Sequence, residues 1–218
     1  MHFLTPLHSE TFGYLAGIIS ILAYFPYIYA IINDRGKPDT DGSKCKPKRA
    51  SWIIWITTSW IILLTMKVNT STFAIWQALA YAIGATVTLA LSIFYGQGGW
   101  AMSDRVFLGL AFAGLLLWWI FHSAWYAFAL ALLVDGMGIM PIVKARGAGE
   151  NPTGWSLFFL GSLSNIGGTF GISNKTINLH NPHLADLLYP WIMTLIVLLP
   201  TLMVWRSHLK LKSRLWTR

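Results

Sequence analysis

The sequence predicts an all-α membrane protein of seven transmembrane helices, arranged as two parallel three-helix bundles joined by a linker helix. Three observations lead there. First, 55% of the 218 residues are hydrophobic and only 11% are charged, where a soluble domain carries about 25% charged residues. So little charge cannot cover a water-facing surface, so most of the surface must face lipid. Second, the apolar residues fall into seven continuous runs, each close to the ~20 residues that cross a bilayer. Continuous rather than alternating runs indicate helices, which pair all their own backbone polar groups in lipid. Third, a pattern of proline, basic loop and tryptophan occurs twice, with one unmatched run between the copies.

The first run, Phe12–Ile32, carries Phe25-Pro26-Tyr27 near its end. A polar loop follows, and the second run, Ala50–Met66, opens on Ser51-Trp52 and continues through Trp55, Thr57, Thr58 and Ser59. The third, Thr72–Tyr95, contains Gln77 and Tyr81. The fourth, Arg105–Phe121, is rich in Leu and Trp and has no counterpart, so it is expected to link two halves. The fifth, Ser123–Val143, nearly abuts it, which demands a very tight turn at His122-Ser123. It carries Asp135 and Met140-Pro141-Ile142, mirroring the proline of the first run. The sixth, Thr153–Ile172, opens on Gly154-Trp155 as the second opens on its tryptophan, and the seventh is His183–Trp205. Tyr189 in the seventh run answers Tyr81 in the third. The expected organisation is a first repeat over 1–95, a linker over 96–122, and a second repeat with a basic tail over 123–218. A single linker helix leaves both triplets with the same orientation, as in transporters built from parallel repeats.

Basic residues set the expected orientation. The loops after runs one, three, five and seven hold Arg35, Lys37, Lys44, Lys46, Lys48, Arg49, Arg105, Lys144, Arg146, Arg206, Lys210, Lys212, Arg214 and Arg218, and the opposite side holds only Lys67 and Lys175. By the positive-inside rule the N-terminus lies outside and the C-terminus in the cytoplasm of an integral, multi-pass protein. This asymmetry also accounts for the net charge of +8 without nucleic acid as a partner. The cluster from Lys44 to Arg49 and the basic tail are placed to touch anionic lipid on the cytoplasmic side. Assembly into an oligomer is compatible with this layout.

Several chemistries are excluded. Cys45 is the single cysteine, so neither a disulfide framework nor a cysteine metal site forms within one chain. Met1–Glu10 lacks the basic start of a cleavable signal peptide, so the first run is expected to be retained. The sequons at Asn69 and Asn174 fall in short loops against the membrane and are read as chance. His2, His8, His122, His180, His183 and His208 are scattered at membrane ends, and no metal-binding, phosphate-binding or nucleophile motif appears. No cofactor or metal is expected. The lack of clustered catalytic carboxylates or histidines argues against an enzyme.

Asp135 is the sharpest signal. It is the only acidic residue well inside a run, where an ionised Asp costs about 2.5–3.5 kcal/mol on insertion scales. Such a carboxyl lines a cavity, pairs, or carries a proton. A proton-coupling role is the expectation, and a structural bond to a neighbouring helix is the alternative. Counting from the prolines puts Ser20 at the matching place of the first half. Pro26 and Pro141 each remove a backbone donor and are hinge candidates, with a static kink as the alternative. Gly136 and Gly138 allow close helix approach.

The two proline segments, the polar loops and the Trp52 and Trp155 helix starts resemble the PQ-loop motif and layout of the SWEET, SemiSWEET and PQ-loop transporter superfamily. The family motif is Pro-Gln, where this chain has Tyr27 and Ile142 after the prolines. Members similar in fold carry sugars, amino acids or vitamins, and one branch is a sorting receptor. Because that family grips substrate with an Asn and a Trp, the resemblance makes Asn165 and Trp55 substrate-binding candidates. Ile62 stands where the first half would match Asn165, and Thr58 and Ser59 supply polarity there instead. Gln77, Tyr81, Tyr189 and Trp191 complete the candidates. The expected function is alternating-access transport of a small polar solute, proton-coupled through Asp135. The alternative is a receptor or accessory protein of the same fold that binds without transport.

Overall fold

A computed structural model describes residues 6–35, 44–69, 71–96, 102–172 and 184–216. Of the residues named above, His2, Lys37, Asn174, Lys175, His180, His183 and Arg218 lie outside the described residues. Among the described residues the regular elements are eight helices: α1 Pro6–Asn33, α2 Arg49–Val68, α3 Ile75–Tyr95, α4 Met102–Phe121, α5 Ala124–Met137, α6 Met140–Lys144, α7 Pro152–Thr169 and α8 Leu184–Trp216. Among the same residues five stretches are long and apolar enough to cross a membrane: His8–Asn33, Arg49–Val68, Ile75–Tyr95, Ala124–Lys144 and Leu184–Ser213. The chain is an all-α, membrane-embedded protein.

Its polarity runs inside out. Phe25, Tyr29, Phe94, Trp119 and Leu195 are each more than 60% exposed, while Ser20, Thr58, Gln77, Asp135, Ser162 and Asn165 are buried. Soluble proteins bury apolar residues and expose polar ones. In lipid the outer surface can be greasy, and polar groups turn inward to find partners.

The helices pair in a regular way. α3 packs against α1 and α2, α7 against α8, and α5 touches α8. Between these groups α1 lies along α7, and α2 along α5, while α4 leans on α5 and α2. Small residues make the α1–α7 seam close. At Gly161 a Cβ would collide with Ser20 and the Ala16 carbonyl, and at Gly154 it would press on the Ala23 carbonyl and Tyr27.

Local chemistry fixes the helix ends. At α7, the Asn151 side chain accepts from the Gly154 N–H at 2.7 Å and Pro152 takes the first turn, where its missing N–H costs nothing. α3 has no cap of its own. Instead Asp186, in the first turn of α8, accepts from the backbone N–H groups of Thr72 (2.9 Å) and Ala74 (3.0 Å) and from the Ser71 hydroxyl (2.5 Å). A carboxylate there meets both the unpaired N–H groups and the positive end of the helix dipole. This is why regular helix begins at Ile75 rather than at Thr72.

Two expected runs change shape. The fifth is not one helix: α5 stops at Met137, a turn passes through Gly138 and Ile139, and α6 resumes at Met140 with Pro141 in its first turn. Pro141 cannot donate to the preceding turn, so the ladder breaks before it. Pro26 sits inside an unbroken α1, so the two hinge candidates differ. The seventh run does not end at Trp205. α8 continues to Trp216, about 50 Å in all at 1.5 Å per residue, past the ~30 Å hydrocarbon core. The turn between α4 and α5 is as tight as expected, with His122 at φ 51°.

Candidate functional site

A cavity lies where the helices converge. Its wall is built by Tyr24 of α1, Trp52, Trp55 and Ser59 of α2, Tyr81 and Ala85 of α3, Asp135 of α5, Ile139 before α6, Trp155 and Phe158 of α7, and Met193, Ile196 and Val197 of α8. It encloses about 50 Å³, room for a few water molecules. The register of α2 explains its share. Trp52, Trp55 and Ser59 stand three and four residues apart, on one helical face.

Aromatic rings form a continuous wall. Trp52 meets Trp55 edge-on at 5.0 Å, Trp55 meets Trp155 at 5.8 Å, and Trp155 meets Phe158 at 5.7 Å. Tyr24 closes the ring on Phe158 at 4.7 Å. Edge-to-face contacts of this kind favour aromatic pairs beyond their buried area.

Asp135 stands in this wall. Its Oδ1 accepts from the Thr58 hydroxyl at 2.5 Å, and its backbone carbonyl accepts from the Trp55 indole at 3.1 Å. Both contacts join α5 to α2. The same indole packs against the helix break beside it, where a Cβ at Gly138 would fall 2.5 Å from Trp55 Nε1.

Behind Tyr81 runs a buried polar chain. Asn165 Nδ2 donates to Gln77 Oε1 at 2.7 Å, and Gln77 Nε2 donates to Ser162 Oγ at 2.8 Å and to the Tyr81 hydroxyl at 3.2 Å. The Tyr81 and Ser162 hydroxyls are hydrogen-bonded at 3.0 Å, and either can donate. Asn165 Oδ1 is buried with no partner. An unmade bond of this kind is costly.

The residues expected from sequence divide accordingly. Trp55, Ser59, Tyr81 and Asp135 line the cavity. Thr58 holds Asp135, and Gln77 and Asn165 reach the wall through Tyr81. Tyr189 is buried but stands outside the wall. Trp191 is 45% exposed and does not join the site. The reason is helical phase: Tyr189, Met193 and Val197 repeat every four residues and face inward, and Trp191 falls between them on the outer face.

Sequence reasoning passed over Tyr24, Phe158 and Glu150. Glu150 precedes α7 and reaches across to α1. Its Oε2 accepts from the Tyr27 hydroxyl at 2.6 Å and the Trp155 indole at 3.2 Å, and its Oε1 is buried without a partner. Burial pushes its carboxyl up to about 7, against the pull of Tyr27, Trp155 and Lys48. The available signal was an acidic residue directly before Asn151-Pro152 and within five residues of Trp155. Cys45 is buried nearby, and burial raises its thiol well above the ordinary range. Among the described residues no group of three or more His, Cys, Asp and Glu is placed to hold a metal. Comparison with protein-family models, characterised proteins and solved structures finds no match for this chain.

Proposed function

We propose that this chain is a SWEET-like transporter that moves a small polar solute by alternating access, with seven spanning helices, the N-terminus outside and the C-terminus in the cytoplasm. One observation supports it above the rest: the cavity is walled by α1, α2 and α3 from one half of the chain and by α5, α7 and α8 from the other. A site at such an interface opens when the halves rock apart. The helix pairing agrees. α1 on α7 and α2 on α5 is the exchange that a twofold relation between the triplets demands. A bond between halves at the basic end, Glu150 to Tyr27, is placed as a cytoplasmic latch. Asp135 is the proton carrier of the reading, since it is the one carboxyl in the cavity wall.

Purified protein in proteoliposomes tests this. Solute uptake above that of empty liposomes is expected, driven by a pH gradient, and Asp135→Asn should abolish the gradient's effect. A stabilising solute that binds but never enters the vesicle would leave the binding-only reading in its place.

A further inference from the structure

The cavity wall differs from what a neutral polyol requires. A polyol needs several free donors and acceptors at fixed places. Here the aromatic side chains already use most of their polar handles on the protein. The Trp55 indole donates to the Asp135 carbonyl, Trp155 to Glu150, and Tyr24 to the Tyr81 carbonyl, while the Tyr81 hydroxyl is engaged by Gln77 and Ser162. The Trp52 indole N–H is buried without a partner. These side chains therefore present the cavity chiefly with apolar ring surface.

A second fact concerns charge. Asp135 is the only ionisable acid in the wall, and no Lys, Arg or His stands there with it. The titratable groups around it are tyrosines: Tyr24 from α1, Tyr81 from α3 and Tyr189 from α8. Thr58 from α2 donates to one carboxylate oxygen, and no hydrogen bond occupies the other. A carboxyl without a cation, set in a wall of aromatic rings, is the surrounding that an organic cation fits. Ring faces attract positive charge, most strongly when desolvated.

Resting on the transport reading above, we propose that the solute is a small organic cation, a primary or quaternary ammonium, held by the aromatic faces and by Asp135 as counter-ion. The cation and a proton occupy the same carboxyl in turn. When the ammonium arrives at protonated Asp135, the O–H bond breaks, the proton passes to water, and the carboxylate pairs with the cation. Release on the far side is followed by reprotonation, so one cation exchanges for one proton. The cavity as it stands holds only a few waters, so a solute of choline size enters when the bundles part.

The test is binding to the full-length protein in detergent, read by tryptophan fluorescence and thermal shift. The probes are methylammonium, choline and 3,3-dimethylbutan-1-ol, the neutral isostere of choline. Choline or methylammonium should bind, the alcohol should bind roughly ten-fold or more weakly, and cation affinity should fall as pH is lowered. Asp135→Asn should lose that preference and its pH dependence, and Asp135→Glu should restore both. The comparison of choline with its isostere on the unaltered protein stands even if the Asn variant does not fold. Equal binding of choline and the alcohol, or failure of both cations to bind, overturns the proposal. Cation binding without uptake into proteoliposomes would leave this inference standing and remove transport. Uptake of a neutral sugar with no cation binding would do the reverse.

Discussion

Asp135 and Glu150 are both carboxyl groups set among aromatic rings, yet they sit in different parts of the molecule and have different work. Glu150 lies outside the spanning segments, and its buried position makes stability depend on pH. Its carboxyl titrates near 4.5 when unburied and at about 7 in the folded chain. Between those values the folded protein holds a proton that the unfolded chain gives up, so stability is highest at low pH and falls as pH rises through the window. The loss is on the order of 3 kcal/mol. Thermal melting in detergent should therefore drop between about pH 5 and pH 8, and Glu150→Gln should flatten the curve. A Gln variant with an unchanged slope would place the titration elsewhere. The buried chain behind Tyr81 gives a second expectation. Gln77→Leu leaves Asn165, Ser162 and Tyr81 short of partners and should cost about 1–3 kcal/mol, read as a lowered melting temperature. Asp135 was legible in the sequence because it interrupts an otherwise apolar run. Glu150 was not, because an acid in a polar loop looks solvated until the loop is folded against Tyr27 and Trp155.

At the scale of elements, the sequence marked helices well and their junctions poorly. Apolar runs place a helix within a few residues, because in lipid nothing else satisfies the backbone. The break between α5 and α6 sets Gly138 against the Trp55 indole, a contact between residues 83 positions apart in sequence. Gly138→Ala should push that indole aside, weaken its bond to the Asp135 carbonyl, lower the melting temperature and shift tryptophan emission. The start of α3 is likewise remote in origin, since its cap comes from Asp186 on α8. Asp186→Ala should cost about 3 kcal/mol and speed hydrogen exchange at the Phe73 and Ala74 amides. If those amides keep their protection, the anchor is not what holds α3. Trp191 stands apart from the cavity for a related reason: composition marks an aromatic, but only the phase of α8 tells which way it faces.

Over the whole molecule, the charge asymmetry of the loops carries the expected orientation, and it invites a direct test. Cys45 cannot report it, being buried at 6% exposure. Exposed Lys210 and Lys67 can. In a Cys45→Ser background, Lys67→Cys should react with a membrane-impermeant thiol reagent on intact cells, and Lys210→Cys only after the membrane is opened. The reverse pattern would invert the topology. The cavity's setting, among helices from both parts of the chain, was legible in outline from the recurring prolines and tryptophans. Its size and aromatic lining were not, since they arise from side chains on six helices meeting at one place.

The turn at His122 has a consequence for how the protein is made. Only His122 and Ser123 lie between α4 and α5. If α4 spans the bilayer as the sequence predicts, the two are expected to enter it as one hairpin. α5 brings Asp135, which resists partitioning by about 2.5–3.5 kcal/mol at the membrane centre, and α4 brings a long run of Leu, Phe and Trp with no acid beyond its first turn. On that reading α4 is expected to serve, during synthesis, as the insertion partner of the helix that carries Asp135.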